Sequence, residues 1–291
     1  MQLNIVIVRK NKLKEKIFLQ YQLNKMIDIV KAEKAFKEYL EEYDTSSEKV
    51  QLKITHTYGV VKASEYLAKE LNLNEEDTNL SRLIALLHDI GRFEQSKASD
   101  DVYDNADQDF FDHAIYGTKI LFEKNMIRKF IEDDKYDNII YKAILNHNRL
   151  EIEDGLSSQE LLHAKLIRDN DKTDNFRVKL TETFKVLLGT DDENKIYNEV
   201  ISDDIYNTFM NKSLIKYGDA KTCLDRWSAY IAFIFDYNFD ESLRYIKEND
   251  LVNKCFDRIK YNNPDTIEKI KNMRKLANDY VEEKCKVKDC P

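Results

Sequence analysis

The sequence predicts an all-α protein. Its 291 residues include only 6 glycines and 2 prolines, while Lys, Glu, Asp, Leu and Ile are abundant. Few turn residues and many helix formers favour helices over strands. Apolar residues also recur at helical spacing along several segments. The chain is long enough to bury a substantial core, as one large domain or two ordinary ones.

The charge and the cysteines limit the class of protein. The formal net charge is −8, so the surface repels phosphates and we expect no non-specific binding of nucleic acid. No apolar run approaches the roughly 18 residues of a membrane span. The first residues lack the charge order of a signal peptide, so we expect a cytoplasmic protein with no membrane partner. Its cysteines, expected to be free thiols, are Cys223, Cys255, Cys285 and Cys290.

The first helices follow from the apolar pattern. Residues 1–44 are predicted to form an N-terminal helical extension, in which "NIVIV" is either a short strand or a disordered start. A helix with one apolar face is predicted from Ser47 to Leu71. Asn74 begins the next helix as its cap, and acidic residues fill the first turn. That helix ends at His88-Asp89, before a glycine.

Later segments continue this organisation. Residues 94–111 are polar and acidic, and we expect a loop that forms a rim or lid. Helices are predicted over "DHAIYGTKILFEK", over "DNIIYKAILNHN" and over "SQELLHAKLIRDNDKTDNF". Amphipathic helices follow, including the aromatic "WSAYIAFIFDY". The expected domains are therefore residues 45–190 and a C-terminal helical region, residues 191–291, packed on that core.

The histidines suggest a metal site. All five lie between residues 56 and 163, and four are at helix ends or in first turns: His56, His88, His113 and His147. Asp89 follows His88 at the end of a buried helix, where an uncompensated charge is costly. Imidazole and carboxylate groups together suit first-row divalent metals, and helices of a bundle can bring them to one point. Taken one at a time, such histidines are more often core or surface residues.

The order of these residues resembles a known family. His56, then His88-Asp89 in "RLIALLHDIGRF", then Asp171 in "IRDNDKTDNF" is similar to the H…HD…D signature of the HD-domain metal-dependent phosphohydrolases. The resemblance covers about residues 48–185. It implies an HD-domain helical bundle with additional C-terminal helices. "DHAIYGTKIL" and "AILNHN" further resemble segments of HD domains that bind two metals.

The resemblance implies a ligand set. His56, His88, Asp89 and Asp171 would hold a first ion, and His113 and His147 a second, with Asp89 bridging both. A single-metal site in which the last two histidines bind substrate phosphate is the alternative. The expected cofactor is therefore one or two divalent ions, of Mn, Fe, Co, Ni, Zn or Mg. The two-metal HD domains that these segments resemble include the HD-GYP type, which hydrolyses cyclic di-GMP. No GYP tripeptide follows His147 here, so the resemblance implies a related domain outside that type and argues against this substrate.

The implied activity is hydrolysis of a phosphate ester or phosphoanhydride by metal-activated water, on a nucleotide or another small phosphorylated metabolite. Asp89 and Arg92 are the expected catalytic residues, and Arg92 and Lys172 are expected to bind the substrate phosphate. Arg92 could instead pair with Glu94 at the surface, and Lys172 could be solvated. Asp112 is expected to cap its helix.

Two other functions fit the same residues. Some HD-domain proteins that the six-ligand pattern resembles, such as myo-inositol oxygenase, use two irons and O₂. A metal could also fasten the helices of a non-catalytic interaction protein, although structural zinc usually has cysteine ligands. The aromatic helix around Trp227 is expected to pack in the core or to form a homodimer interface.

Overall fold

Helices form the framework of the protein. The computed structural model describes residues 27–95 and 112–286, and these two segments contain helices and no strand. The all-α prediction is therefore confirmed. The "NIVIV" segment, residues 96–111 of the predicted loop and Cys290 lie outside the described residues.

The first described segment and the start of the second carry the helices that surround the metal centre. In chain order they are α1 (Ile29–Leu40), α2 (Glu48–Glu70), α3 (Glu75–Leu87), α4 (Ile90–Gln95), α5 (His113–Thr118), α6 (Ile127–Phe130), α7 (Asp137–Asn146) and α8 (Ser158–Thr181). A π-helical turn, Lys119–Glu123, extends α5.

Shorter helices follow α8 and end with one long helix. They are α9 (Phe184–Leu188), α10 (Glu193–Asn198), α11 (Asp203–Met210), α12 (Cys223–Ile231), α13 (Asp240–Glu248), α14 (Leu251–Asp257) and α15 (Pro264–Lys286). Two 3₁₀ turns, Tyr217–Asp219 and Ala232–Asp236, connect them.

Side-chain caps explain where several helices begin. The Asn74 side chain accepts a hydrogen bond from the amide of Asp77 and starts α3. Asp112 caps α5 in the same way, as the sequence predicts. Ser157 and Glu160 form a reciprocal capping box at the start of α8. Each cap satisfies an amide that the first helical turn leaves without a partner.

Two hydrophobic clusters form the core. The first joins α1 to the helices up to α8, with Phe36 of α1 packed edge-on against Phe93. The predicted N-terminal extension therefore contributes a helix to this core. The second cluster extends from Phe176 to Val281 and surrounds Trp227. Helix α8 belongs to both clusters, because Ile167 packs in the first and Phe176 in the second.

A buried polar junction joins α8 to the C-terminal region. The carboxylate of Asp169 accepts hydrogen bonds from the amides of Asn238 and Phe239 and from the Ser242 hydroxyl, at 2.8–3.1 Å. Arg168 and Lys172 both pair with Asp236, each at 2.7 Å. Buried charges are tolerated when they are paired and hydrogen-bonded in this way.

Several sequence expectations concern the second cluster. Trp227 is 1% exposed, and its indole donates to the carbonyl oxygen of Cys255, so the aromatic helix packs in the core. The homodimer stays a prediction. Cys223, Cys255 and Cys285 are free thiols. Within residues 27–95 and 112–286, every helix is too short or too polar to serve as a membrane span.

Candidate metal centre

The six expected metal ligands converge on one point inside the first cluster. His56 lies in the first half of α2, His88 and Asp89 follow α3, and His113 begins α5. His147 follows α7, and Asp171 lies in the middle of α8. Three helix ends and two long helices, α2 and α8, thus deliver side chains from five directions.

A close approach of α4 and α5 brings His113 to this point. A Cβ atom built on Gly91 would lie 2.2 Å from the carbonyl oxygen of His113 and 2.8 Å from the amide nitrogen of Gly117. Only glycine leaves room for the backbones to approach so closely. The glycine that follows the His-Asp pair therefore controls the distance between Asp89 and His113.

The two carboxylate oxygens of Asp89 face two pairs of histidines. Oδ2 lies 4.0 Å from Nε2 of His56 and 3.8 Å from Nε2 of His88. Oδ1 lies 3.4 Å from Nε2 of His113 and 3.5 Å from Nε2 of His147. On the first side, Asp171 Oδ1 is also 3.0 Å from His56 Nε2.

These distances define two overlapping groups of potential metal ligands. His56, His88 and Asp171 offer atoms within 4.8 Å of one another, and so do His88, Asp89 and His147. His88 belongs to both groups. The arrangement therefore has the ligands for one ion and space for a second one beside it.

The outer nitrogens of three imidazoles are held by hydrogen bonds. His88 Nδ1 donates to the carbonyl oxygen of Ala85 at 2.8 Å, and His147 Nδ1 to that of Ile144 at 2.6 Å. His56 Nδ1 pairs with Asp174 Oδ2 at 2.7 Å. A carbonyl only accepts, so Nδ1 of His88 and of His147 carries the proton and Nε2 is the nitrogen available to a metal ion. Partners of this kind fix the orientation of metal-binding histidines.

The donors fit a divalent cation. Nε2 of His88 is buried and has no hydrogen-bond partner among the described residues. An unsatisfied buried nitrogen is costly unless another group binds it. Nε2 of His113 lies only 3.1 Å from Nε2 of His147. A cation bound between these two nitrogens would replace their contact and use the lone pairs of both.

The protonation states agree with this fit. Burial lowers the pKa of His88 and lowers that of His113 to about 3, so both imidazoles are neutral. Burial alone would raise the pKa of Asp89, but the Arg92 charge and the nearby histidines hold it well below its usual range. In Asp171 the hydrogen bond and charge of His56 likewise outweigh burial and lower the pKa.

His56 differs because it lies between two carboxylates. Burial would lower its pKa, but hydrogen bonds to Asp171 and Asp174 raise it to about 10. In the protein without metal, a proton on His56 therefore balances part of the carboxylate charge. A metal ion would replace that proton, since metal binding requires neutral imidazole.

Asp174 is a functional residue that the sequence reasoning missed. It lies three residues after Asp171, so both side chains project from neighbouring positions on α8. Gly59 lies three residues after His56 on α2, and a Cβ atom there would be 1.9 Å from Asp174 Oδ1. The spacing of three on both helices is the signal that could have indicated this contact.

A cavity of about 240 Å³, which we call the substrate cavity, opens over the cluster of metal ligands. Its lining includes His56, Asp89 and Asp171, and three cationic side chains: Lys53, Arg92 and Lys179. The C-terminal region closes one side with Val186, Leu187 and Tyr230. The sequence reasoning missed both lysines, of which Lys53 lies one turn before His56 on α2.

The two lysines have unusual environments. Lys179 places its ammonium 3.9 Å from the centre of the Tyr230 ring, and burial lowers its pKa to about 8. Lys53 donates to the carbonyl oxygen of Arg92 at 2.8 Å, and burial together with the Arg92 charge lowers its pKa to about 8. Both groups are thus cations that a bound anion would stabilise.

Of the two residues expected to bind the substrate phosphate, Arg92 is part of the described cavity lining and Lys172 is not. Arg92 lines the cavity, and its Nε donates to Asp89 at 3.0 Å. The expected alternative was a pair with Glu94, whose carboxylate accepts from the Tyr43 hydroxyl. Lys172 is buried beside Asp236, 2.7 Å away, and is absent from the described cavity lining. This placement gives no support to substrate binding by Lys172.

His163, the fifth histidine, lies outside the group of metal ligands. Its Nε2 is 3.0 Å from Asp77 Oδ1 at the start of α3. The contact ties α8 to α3, and the buried imidazole has a lowered pKa because of its burial.

Comparison with known proteins agrees with the geometry. The family model described as HD domain matches residues 54–175. The matched segment includes all six clustered ligands, from His56 to Asp171. No curated protein and no solved structure matches the chain.

Proposed function

We propose that this chain, whose residues 54–175 match the HD-domain family model, hydrolyses a phosphate ester or phosphoanhydride of a small metabolite, nucleotides included. HD domains bind divalent metals and are typical of metal-dependent phosphohydrolases. One observation carries the proposal: His56, Asp89 and Asp171, which belong to the clustered potential metal ligands, line a cavity together with three cationic side chains.

Two divalent ions fit the ligands best. His56, His88 and Asp171 would hold one ion with Asp89 Oδ2, and His113 and His147 the other with Asp89 Oδ1. The support is that each oxygen of Asp89 faces its own pair of histidines. When bound, such ions activate water and neutralise charge on a phosphoryl group.

The protein itself would bind and orient the phosphoryl group. Arg92 keeps Asp89 in place through Nε and lines the cavity beside it. Lys179 and Lys53 add positive charge, and a phosphate between these groups would form charge-assisted hydrogen bonds. Holding the phosphorus in one place beside the ligands is itself a large contribution to rate.

The remainder of the substrate would contact an apolar wall. Val178, Val186, Leu187 and the Tyr230 ring supply this surface. The volume of about 240 Å³ is just below the roughly 300–1,000 Å³ of most small-molecule pockets. A compact phosphate ester is therefore the favoured substrate.

The charge of the cavity distinguishes hydrolysis from the oxygenase alternative. A neutral polyol gains little from Lys53, Arg92 and Lys179, whereas a phosphate pairs with all three. The open, cation-lined cavity also argues against a metal that only fastens helices, because structural metal sites are usually closed.

Metal-dependent phosphate release tests the proposal. The purified chain with Mn²⁺, Co²⁺ or Ni²⁺ is assayed against p-nitrophenyl phosphate, its bis-ester and a panel of nucleotides. We expect turnover that Asp89→Asn abolishes and that Asp154→Asn, a change at an exposed carboxylate, leaves intact. Stoichiometric metal at the cluster without turnover of any compound would contradict the proposal.

A further inference from the structure

A second and larger cavity lies behind the metal centre. Its volume is about 540 Å³, which is within the range of small-molecule sites. It is lined by another face of α2 and α8 and by the segment Tyr245–Leu251, and it shares no described residue with the cavity over the cluster. We call it the rear cavity.

Cationic groups with free donors line one end of the rear cavity. Arg177 binds both oxygens of Asp174 through Nε and Nη2, which leaves Nη1 without a partner among the described residues. Lys62 is exposed there and has no ion pair within the described residues. Asp174 is the sole carboxylate of the described lining, and His56 and Arg177 already occupy it. This end therefore favours an anion.

Aromatic and apolar side chains line the other end. The rings of Tyr66 and Tyr245 meet edge to face with centroids 4.9 Å apart, and Leu180 and Leu251 lie beside them. Glu70 near this end is paired with Arg244 at 3.6 Å, so the described cations with free donors lie at the Arg177 end. Aromatic side chains of this kind bind planar rings.

We propose that the rear cavity is a regulatory site for a small organic anion that carries a planar ring. The anionic group binds Arg177 and Lys62, and the ring lies against Tyr66 and Tyr245. The site is separate from the substrate cavity, and its occupant is bound and not transformed.

Arg177 couples this site to the metal centre. It holds Asp174, and Asp174 holds His56 Nδ1 at 2.7 Å. An anion that draws the guanidinium away from Asp174 loosens the support of a metal ligand. Because losing such a partner costs about 10–100-fold in metal affinity, partial loosening is expected to cost about 3–10-fold. This coupling rests on the proposed metal site, whereas anion binding in the rear cavity does not.

The first test measures binding in the full chain. The probe is anilinonaphthalene sulfonate, an aromatic anion whose fluorescence rises on binding. We expect saturable binding that weakens at least about fivefold, roughly 1 kcal/mol, in Lys62→Glu and in Tyr245→Ala. Lys69→Glu, an equally exposed change on α2 outside the cavity, keeps wild-type affinity. Equal affinity in all four proteins would overturn the site.

The second test measures coupling without enzyme activity. Mn²⁺ affinity is determined by EPR with and without saturating probe, in the wild type and in Lys62→Glu. At one probe concentration, just enough to saturate the wild type, we expect weaker Mn²⁺ binding in the wild type and a smaller loss in Lys62→Glu, whose rear cavity is less occupied. An unchanged Mn²⁺ affinity in the probe-saturated wild type would overturn the coupling. A chain that binds the probe at this site but no Mn²⁺ would overturn the metal site and hence the coupling, while the ligand site stands.

Discussion

Replacing Gly59 by alanine is expected to weaken metal binding without touching a metal ligand. The new Cβ would lie 1.9 Å from Asp174 Oδ1, where ordinary contact begins at 3.4 Å. Asp174 must therefore move by about 1.5 Å, the difference between those distances. Its hydrogen bond to His56 Nδ1, now 2.7 Å, would lengthen to as much as about 4.2 Å, which is beyond hydrogen-bond range.

The loss of this hydrogen bond sets the magnitude. Removing a partner that orients a metal-binding histidine costs about 10–100-fold in affinity, or about 1.4–2.7 kcal/mol. The assay is Mn²⁺ binding followed by EPR, with circular dichroism to verify the helical content. Gly218→Ala is the matched control, because a Cβ at that position meets nothing within 4 Å.

The Mn²⁺ affinity of Gly59→Ala can also contradict this reasoning. A folded Gly59→Ala protein that binds Mn²⁺ as tightly as the wild type would refute the role of Asp174. Should this variant fail to fold, Asp174→Asn removes the carboxylate charge at nearly constant size. We then expect about a tenfold loss of affinity, in the lower part of the range for such partners.

Three further predictions concern the substrate cavity, the metal and the junction on α8. Because the Lys179 pKa is about 8, its ammonium is charged below that pH, and KM should rise above pH 8. Lys179→Arg stays charged and should remove that part of the rise, so identical pH profiles of KM in the two proteins would contradict phosphate binding by Lys179. Removing the metal with a chelator should lower the Tm by about 5–10 °C relative to the protein in Mn²⁺ at about 100 times its Kd. Binding at that concentration stabilises the folded protein by about 2.7 kcal/mol, and each kcal/mol changes the Tm by about 2–4 °C. An unchanged Tm in a thermal scan would contradict metal binding by the folded protein. Asp169→Ala should lower the free energy of unfolding by about 2–4 kcal/mol, because it strands buried amides; a urea titration that shows less than about 0.5 kcal/mol, the usual surface effect, would contradict the junction.

Local signals explain why the sequence could predict most helices. A helix was predicted from Ser47 to Leu71 and is found over Glu48–Glu70, since its apolar face and its boundaries are local properties. Asn74 and Asp112 cap their helices as predicted, because a cap needs only a side chain and the next amides. The His-Asp pair at the end of a buried helix likewise indicated a compensating cation before any contact was known.

Tertiary contacts explain what the sequence could not predict. Lys172 and Lys179 lie two turns apart on the same side of α8, and the sequence suggested the first as a phosphate ligand. Contacts with the C-terminal region determine which of the two lysines lines the cavity. Lys172 pairs with Asp236 away from the cavity, whereas Lys179 lies over the Tyr230 ring in the cavity wall. Asp174 was missed for a similar reason, since its role depends on how closely α2 approaches α8 at Gly59.

The C-terminal region supplies part of the wall of the substrate cavity, through Val186, Leu187 and Tyr230. The acidic segment 94–111, expected to form a rim or lid, lies outside the described residues from residue 96 onward. The proposed binding of a phosphate therefore rests on the described walls, and the C-terminal region contributes residues to them.

The most direct test of the metal centre is anomalous X-ray diffraction from crystals soaked in Mn²⁺, recorded at the manganese edge. We predict two peaks on either side of Asp89, each about 2.1 Å from its ligand atoms, with His88 Nε2 bound to manganese. No anomalous peak among His56, His88, Asp89, His113, His147 and Asp171 in a well-ordered soaked crystal would contradict the account.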